Sequence, residues 1–117
     1  PPYWESEVDA WAEKYGPRRV IRFETYRPVQ MHAAAERLLT DVVKADSTFT
    51  HDGCGTTRAH MLNARKAARP QNRYVLSKPG AQTQKIDAAV TSVICHEAWG
   101  DVTNAKLWKK RKYVYTD

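Results

Sequence analysis

Asp87 stands in the run Lys85-Ile86-Asp87-Ala88-Ala89-Val90, where an otherwise apolar segment of small residues opens a helix. A carboxylate fixed on a rigid helix beside Lys85 and Lys78 suits a magnesium site that cleaves phosphodiesters. The same acid also complements the positive end of a helix dipole, which requires no further role. One carboxylate does not hold two metal ions. Of the other acids, Asp9, Glu13, Glu36 and Asp41 fall on polar helix faces, and Asp52 sits in an Asp-Gly turn.

His51, Cys54, Cys95 and His96 are the residue types that bind zinc, but Cys95 and His96 are neighbours on one helix and face a single ion poorly. Cys54 near His51 has the residue types of a nucleophile and base, with no oxyanion arrangement to support it. His60 and Asn63, three apart on one helix, point together toward a phosphate, toward a neighbouring loop, or into a structural hydrogen-bonded pair. Neither a GxxxxGK phosphate loop nor a GxGxxG fingerprint is present, so the sequence carries no nucleotide-hydrolysing engine.

The elements that must position these groups follow from periodicity. Trp4, Val8, Trp11 and Tyr15 form one helical stripe, expected to pack, on a helix from about Tyr3 to Tyr15 that Gly16-Pro17 stops. Val20-Ile21-Arg22-Phe23 reads as a strand. Pro28 starts a second helix, and Met31, Ala34, Ala35, Leu38, Leu39, Val42 and Val43 keep helical spacing to about Lys44. Thr48 to His51 alternates like a short strand and ends in the Asp52-Gly53 turn. Thr56 or Thr57 then caps a helix through about Ala68, which Pro70 ends. Arg73 to Leu76 is a third strand, 81 to 84 a polar loop, and a last helix runs from near Lys85 to Gly100 with Ile86, Ala89, Val90, Val93, Ile94 and Trp99 inward. Alternating helices and short strands give an α/β class, with few strands for four helices.

With 117 residues, 42% hydrophobic and 27% charged, the chain fits one globular domain or a piece of one and excludes disorder as the default. No stretch approaches the roughly 20 apolar residues of a membrane span. The N-terminus has no basic and apolar pattern of a signal peptide, and two distant cysteines read as reduced thiols, so an intracellular site is expected.

The net charge of +6 is uneven. Residues 106–117 hold Lys106, Lys109, Lys110, Arg111 and Lys112 against Asp117, interleaved with Trp108, Tyr113 and Tyr115. Such a tail tracks a phosphate backbone or simply solubilises a terminus. Arg18, Arg19, Arg22 and Arg27 surround the first strand, and Arg58, Arg65, Lys66 and Arg69 are placed along the third helix. These patches suit an anionic partner such as nucleic acid, or are solvated faces.

Taken in order, several segments resemble the C-terminal part of the nuclease domain of tailed-phage terminase large subunits, the DNA-packaging motor proteins. They are Pro1-Pro2-Tyr3-Trp4 with Trp11 and Tyr15-Gly16, Thr25-Tyr26-Arg27 with Met31, Thr50-His51-Asp52-Gly53, His60 with Asn63-Ala64, Lys78-Pro79, and Lys85-Ile86-Asp87-Ala88-Ala89-Val90. The pieces cover roughly residues 1 to 99, and the closing Lys-Ile-Asp helix is the most specific.

The resemblance implies a partial RNase-H-like α/β domain, a short central sheet flanked by about four helices, over residues 1–100, followed by a basic aromatic tail over 101–117. It implies a virus-encoded protein of the host cytoplasm that cuts concatemeric double-stranded DNA during packaging by two-metal hydrolysis, with magnesium or manganese. Asp87 then matches the family's last metal-binding and catalytic acid. Lys78, Lys85, Arg65, Lys66, Arg69, Lys109, Lys110 and Arg111 would contact phosphate, and His51, Asp52, His60 and Asn63 would support the edge of the site. Partners would include the terminase small subunit and the portal protein, and no membrane. The family's other acids stand upstream of the segment matching Pro1-Pro2, as does the ATPase domain. The chain is therefore expected to be a piece of such a protein, inactive or nearly so alone. The alternatives are a non-catalytic basic module that docks on DNA or on a packaging component, and a remnant that binds nothing.

Overall fold

The computed structural model describes residues 4–80 and 83–105. Along the chain come α1 (Glu5–Tyr15), α2 (Pro28–Val43), α3 (Gly55–Asn63), β1 (Arg65–Arg69), β2 (Arg73–Ser77) and α4 (Asp87–Asn104). The class is mixed α/β: four helices and a two-stranded antiparallel sheet among the described residues.

The core forms where α2 meets β2 and α4. Pro28 fixes the first turn of α2, and Arg27 before it is extended, as a pre-proline residue must be. Met31, Ala34, Ala35 and Leu38 recur at helical spacing and are buried, joined by Tyr74, Val75 and Val93. Ala34 is fully buried and Ala89 nearly so, and these small side chains suit the close approach of α2 and α4. Two polar links tie the same helices: Arg37 bonds Glu97 through two nitrogens, and His96 Nε2 lies 2.6 Å from Asp41 Oδ2.

Several expectations are corrected here. Residues 65–69 are a strand, not the end of a helix, although Arg-Lys-Ala-Ala-Arg is rich in helix formers. Tertiary pairing overrides that propensity. Gln71 and Asn72 both adopt positive φ, at 64° and 58°, and turn the chain after Pro70 so that β1 pairs with β2 from Arg65↔Ser77 to Arg69↔Arg73. Helix α3 accordingly ends at Asn63, and it starts at Gly55 with Cys54, not Thr56 or Thr57, in the cap position.

Val20–Phe23 and Thr48–His51 are not strands. Each lacks a partner among the described residues to complete a ladder, and side chains take over part of the local bonding. Ser47 Oγ accepts the Phe49 N–H at 3.2 Å, and Arg22 turns to Asp9 at 2.9 Å. Phe23 still packs against the core.

The stripe of α1 does not pack as expected. Trp4, Trp11 and Tyr15 are about half exposed, no residue of α1 is buried, and the two indoles lie 6.5 Å apart. Glu5 and Glu7 in the first turn, Lys14 in the last and Gly16 at φ 95° nevertheless give the helix ordinary ends. Helix α4 also departs from expectation, running through Gly100 to Asn104 and leaving Trp99 exposed.

Candidate functional site

The site is built from the turn that precedes α3. Gly53, at φ 75°, lets the chain reverse. His51 Nδ1 accepts the Gly53 N–H at 3.1 Å, and Asp52 Oδ1 accepts the Cys54 N–H at 2.9 Å, an Asx-type turn that leads into the helix. His51 and Asp52 are exposed and bond locally. Their position sets where α3 begins. Helix-start N–H groups, those of Thr57 first, hold the exposed Cys54 thiol below its ordinary value.

Helix α3 packs on α4, and its far end carries the two residues that matter most. His60 Nδ1 accepts the Ala88 N–H at 2.9 Å. Asn63 Nδ2 donates to the Lys85 carbonyl at 3.0 Å. Asn63 thus reaches the loop that leads into α4, and His60 the first turn of α4 itself. No side chain of α4's own cap residue, Ile86, closes the helix start. His60 supplies that bond from another element and so satisfies one of the orphan donors of the first turn.

Asp87 is the first residue of α4 and is exposed. Ile86 immediately before it is buried at 6% and anchors the turn. The backbone on either side of Asp87 is therefore held by a buried side chain and by two hydrogen bonds from α3. Among the described residues no ion pair ties Asp87 to Lys85 or Lys78, both of which are exposed.

Among the described residues, no three His, Cys, Asp or Glu side chains gather into a group able to hold a metal ion. Asp87 brings a single carboxylate, whereas magnesium takes six ligands and manganese favours a similar oxygen shell. The described residues do not constitute a divalent-metal site by themselves.

The phosphate-binding candidates separate into two groups. Lys66 lies 4.0 Å from Glu36 and 4.5 Å from the Tyr74 ring centroid, so it is engaged within the fold. Arg65 bonds the Leu62 and Ala64 carbonyls at 2.7 and 3.1 Å, and Arg69 bonds the Ala68 carbonyl at 2.9 Å. Neither has a carboxylate partner among the described residues. Lys109, Lys110 and Arg111 lie outside the described residues.

Sequence reasoning did not foresee the partners of three groups. Arg73 stands directly opposite Arg69, a pairing that a Pro-Gln-Asn hairpin would have signalled. Tyr74 bonds Glu36 through its hydroxyl and stacks edge-on against His32 at 4.6 Å. Burial first, and Glu36 second, push its hydroxyl up to about 12. His96 turns Nε2 to Asp41 and keeps Nδ1 buried, without a partner among the described residues.

No helix among the described residues is long and apolar enough to cross a membrane. Comparison with known proteins found no matching protein-family model, no matching curated protein and no matching solved structure.

Proposed function

We propose that this chain is part of a nuclease of the terminase large-subunit kind, an RNase-H-like domain that cuts concatemeric double-stranded DNA during phage genome packaging. The reading is supported chiefly by one observation. His60 and Asn63 both bond the backbone on either side of Asp87, so two separate segments of the resemblance meet at the acid it singles out. A carboxylate on a braced helix start is held in place by its surroundings, as a metal ligand must be. In this proposal magnesium or manganese is completed by acids outside this sequence. Asp87 supplies one carboxylate, Lys85 and Lys78 lower phosphate charge, and the chain alone is inactive or nearly so. The protein is then virus-encoded, acts in the host cytoplasm, and meets the small subunit and the portal.

The test is divalent-metal titration and manganese-dependent plasmid cleavage by this chain, its Asp87→Asn variant, and a longer chain carrying upstream acids. Cleavage by the longer chain alone, abolished by Asp87→Asn, supports the nuclease. A longer chain that never cuts, or that cuts equally well without Asp87, removes it.

A second reading, a basic DNA-binding or packaging-complex module without chemistry, is favoured by the cations of the hairpin that have no carboxylate partner among the described residues. Its mark is a salt-dependent affinity for DNA unchanged by magnesium or by Asp87→Asn.

A further inference from the structure

We propose that the tip of the β1–β2 hairpin docks on the phosphate backbone of duplex nucleic acid, gripped by Arg69 and Arg73 with Arg65 along the same face. The inference rests on the second reading above and deepens it by placing the contact; it uses neither Asp87 nor a metal ion, and it stands or falls apart from the nuclease.

Arg69 and Arg73 form the last register pair before the connection, so two guanidinium groups spring from directly opposed positions. Directly opposed like charges destabilise a hairpin. Five cations have a carboxylate partner: Arg22 with Asp9, Arg27 with Glu24, Arg37 with Glu97, Lys44 with Asp41 and Lys66 with Glu36. Lys14, Arg18, Arg19, Arg58, Lys78 and Lys85 have none among the described residues, so it is the direct opposition of Arg69 and Arg73 that sets the hairpin apart. Arg69, Arg73 and Arg65 have no carboxylate partner among the described residues. Their printed bonds go only to neutral acceptors: Arg69 to the Ala68 carbonyl, Arg73 to the Gln71 side chain, Arg65 to the Leu62 and Ala64 carbonyls.

Each of these bonds uses one terminal nitrogen, and a guanidinium has five N–H donors. The remaining donors keep the fork geometry that matches a phosphate, and Arg65 and Arg69 are exposed while Arg73 is half-buried. Side chains alternate along a strand, so Arg65 and Arg69, four residues apart, share a face, and the cross-strand pairing adds Arg73 to it. The two β1 arginines are about 13 Å apart along the strand at the usual rise. An unneutralised row of this length fits successive charges on a polyanion better than one small anion. The left-handed pair Gln71-Asn72 makes the turn compact, so the charged end of the ribbon projects without a bulky loop around it.

The test is fluorescence anisotropy of a short labelled duplex of arbitrary sequence, titrated with the intact chain in chelator across a salt series. Arg69→Gln/Arg73→Gln is expected to weaken binding about tenfold at low salt and to reduce the steepness of the salt dependence by about 1.8, for two lost phosphate contacts. The charge-matched control Lys14→Gln/Lys44→Gln, at two exposed lysines outside the hairpin, is expected to change affinity by less than about twofold, and Arg69→Lys/Arg73→Lys is expected to keep the salt slope. In the intact chain, the Nε–H resonances of Arg69 and Arg73 should shift on adding duplex, which requires no variant to fold. The proposal is overturned if both glutamine pairs lose affinity equally, if the resonances do not move, or if the intact chain binds no duplex. Displacement by inorganic phosphate beyond that by chloride at equal ionic strength would mark a free-phosphate site and also overturn it.

Discussion

His60 on α3 accepts the Ala88 N–H of α4 through Nδ1 at 2.9 Å, so one helix caps the next. Cap bonds of this kind contribute about 1 kcal/mol, and a buried helix start without one leaves an orphan donor. His60→Ala is expected to lower stability by about 1 kcal/mol, several degrees in melting temperature for a domain of this size. Asn63→Ala removes the companion bond to Lys85 and should cost about as much. Because both brace one turn, the double variant should depart from the sum of the singles. Chemical denaturation of the four proteins, with hydrogen exchange at Ala88, checks this. Unchanged exchange at Ala88 in His60→Ala would show the cap to be inert.

The opposed arginines predict a trade between stability and binding. Arg69→Glu converts a repulsive cross-strand pair into an attractive one, and such pairs contribute roughly 0.2–1 kcal/mol. The variant is expected to melt higher than the parent while losing duplex affinity. Thermal melts read beside the anisotropy titration test both halves. A variant that melts lower would mean that Arg69 is held by a favourable contact within the fold.

Much of the architecture was legible in local pattern, and the misses share one cause. Pro28 and the Met31, Ala34, Ala35 and Leu38 stripe located α2 to within a residue of its ends, because the helix start and the core face were both written in that segment. Asp87, His60 and Asn63 could be singled out from the sequence, yet that the latter two bond the backbone around Asp87 depends on α3 packing against α4, which no single segment encodes. Arg65 to Arg69 carries the composition of a helix and became a strand because Gln71 and Asn72 fold it back on β2. The Trp4, Trp11 and Tyr15 stripe is regular enough to mark a helix, but periodicity says only that a face is apolar, not that an element lies opposite it.

That exposure has a measurable consequence. Substitutions outside a packed environment usually stay within about 0.5 kcal/mol, whereas truncating a core side chain costs about 2–5 kcal/mol. Trp11→Ala should therefore leave the chain nearly as stable as before, and Met31→Ala, at a position 1% exposed, should destabilise it severely. Urea unfolding of the two variants distinguishes them. A large loss in Trp11→Ala would mean that α1 packs on the fold more firmly than its exposed indoles indicate.

At the acid end, the α2–α4 contact carries the pH dependence. The bond from His96, and then that from Lys44, holds the Asp41 carboxyl below the usual carboxylate range. A depressed folded value means that this contribution is present above the unfolded-state value and is lost as pH falls through the folded one. Asp41→Asn is expected to flatten the acid limb of the stability curve below about pH 4 and to leave the limb above it parallel to the parent. Melting temperature against pH for the two proteins reads this directly, and identical acid limbs would remove Asp41 from the account.

At the alkaline end the sign reverses. Tyr74 is 9% exposed, and its hydroxyl bonds Glu36 and is pushed up to about 12 from an ordinary 10.0. A folded value above the unfolded one means that the neutral phenol is favoured by folding. Its contribution is complete below about pH 10 and disappears as pH rises toward 12. Tyr74→Phe removes both the titration and the bond to Glu36, at a cost of roughly 0.5–1.5 kcal/mol where the phenol is neutral. The stability difference between parent and Tyr74→Phe should thus be constant up to about pH 10 and shrink above it, since only the parent has a proton to lose there. Paired melts across this range, with tyrosinate absorbance followed in both proteins, separate Tyr74 from the exposed tyrosines. A difference that stays flat to pH 12 would show that the Tyr74 hydroxyl titrates no later in the folded chain than in the unfolded one.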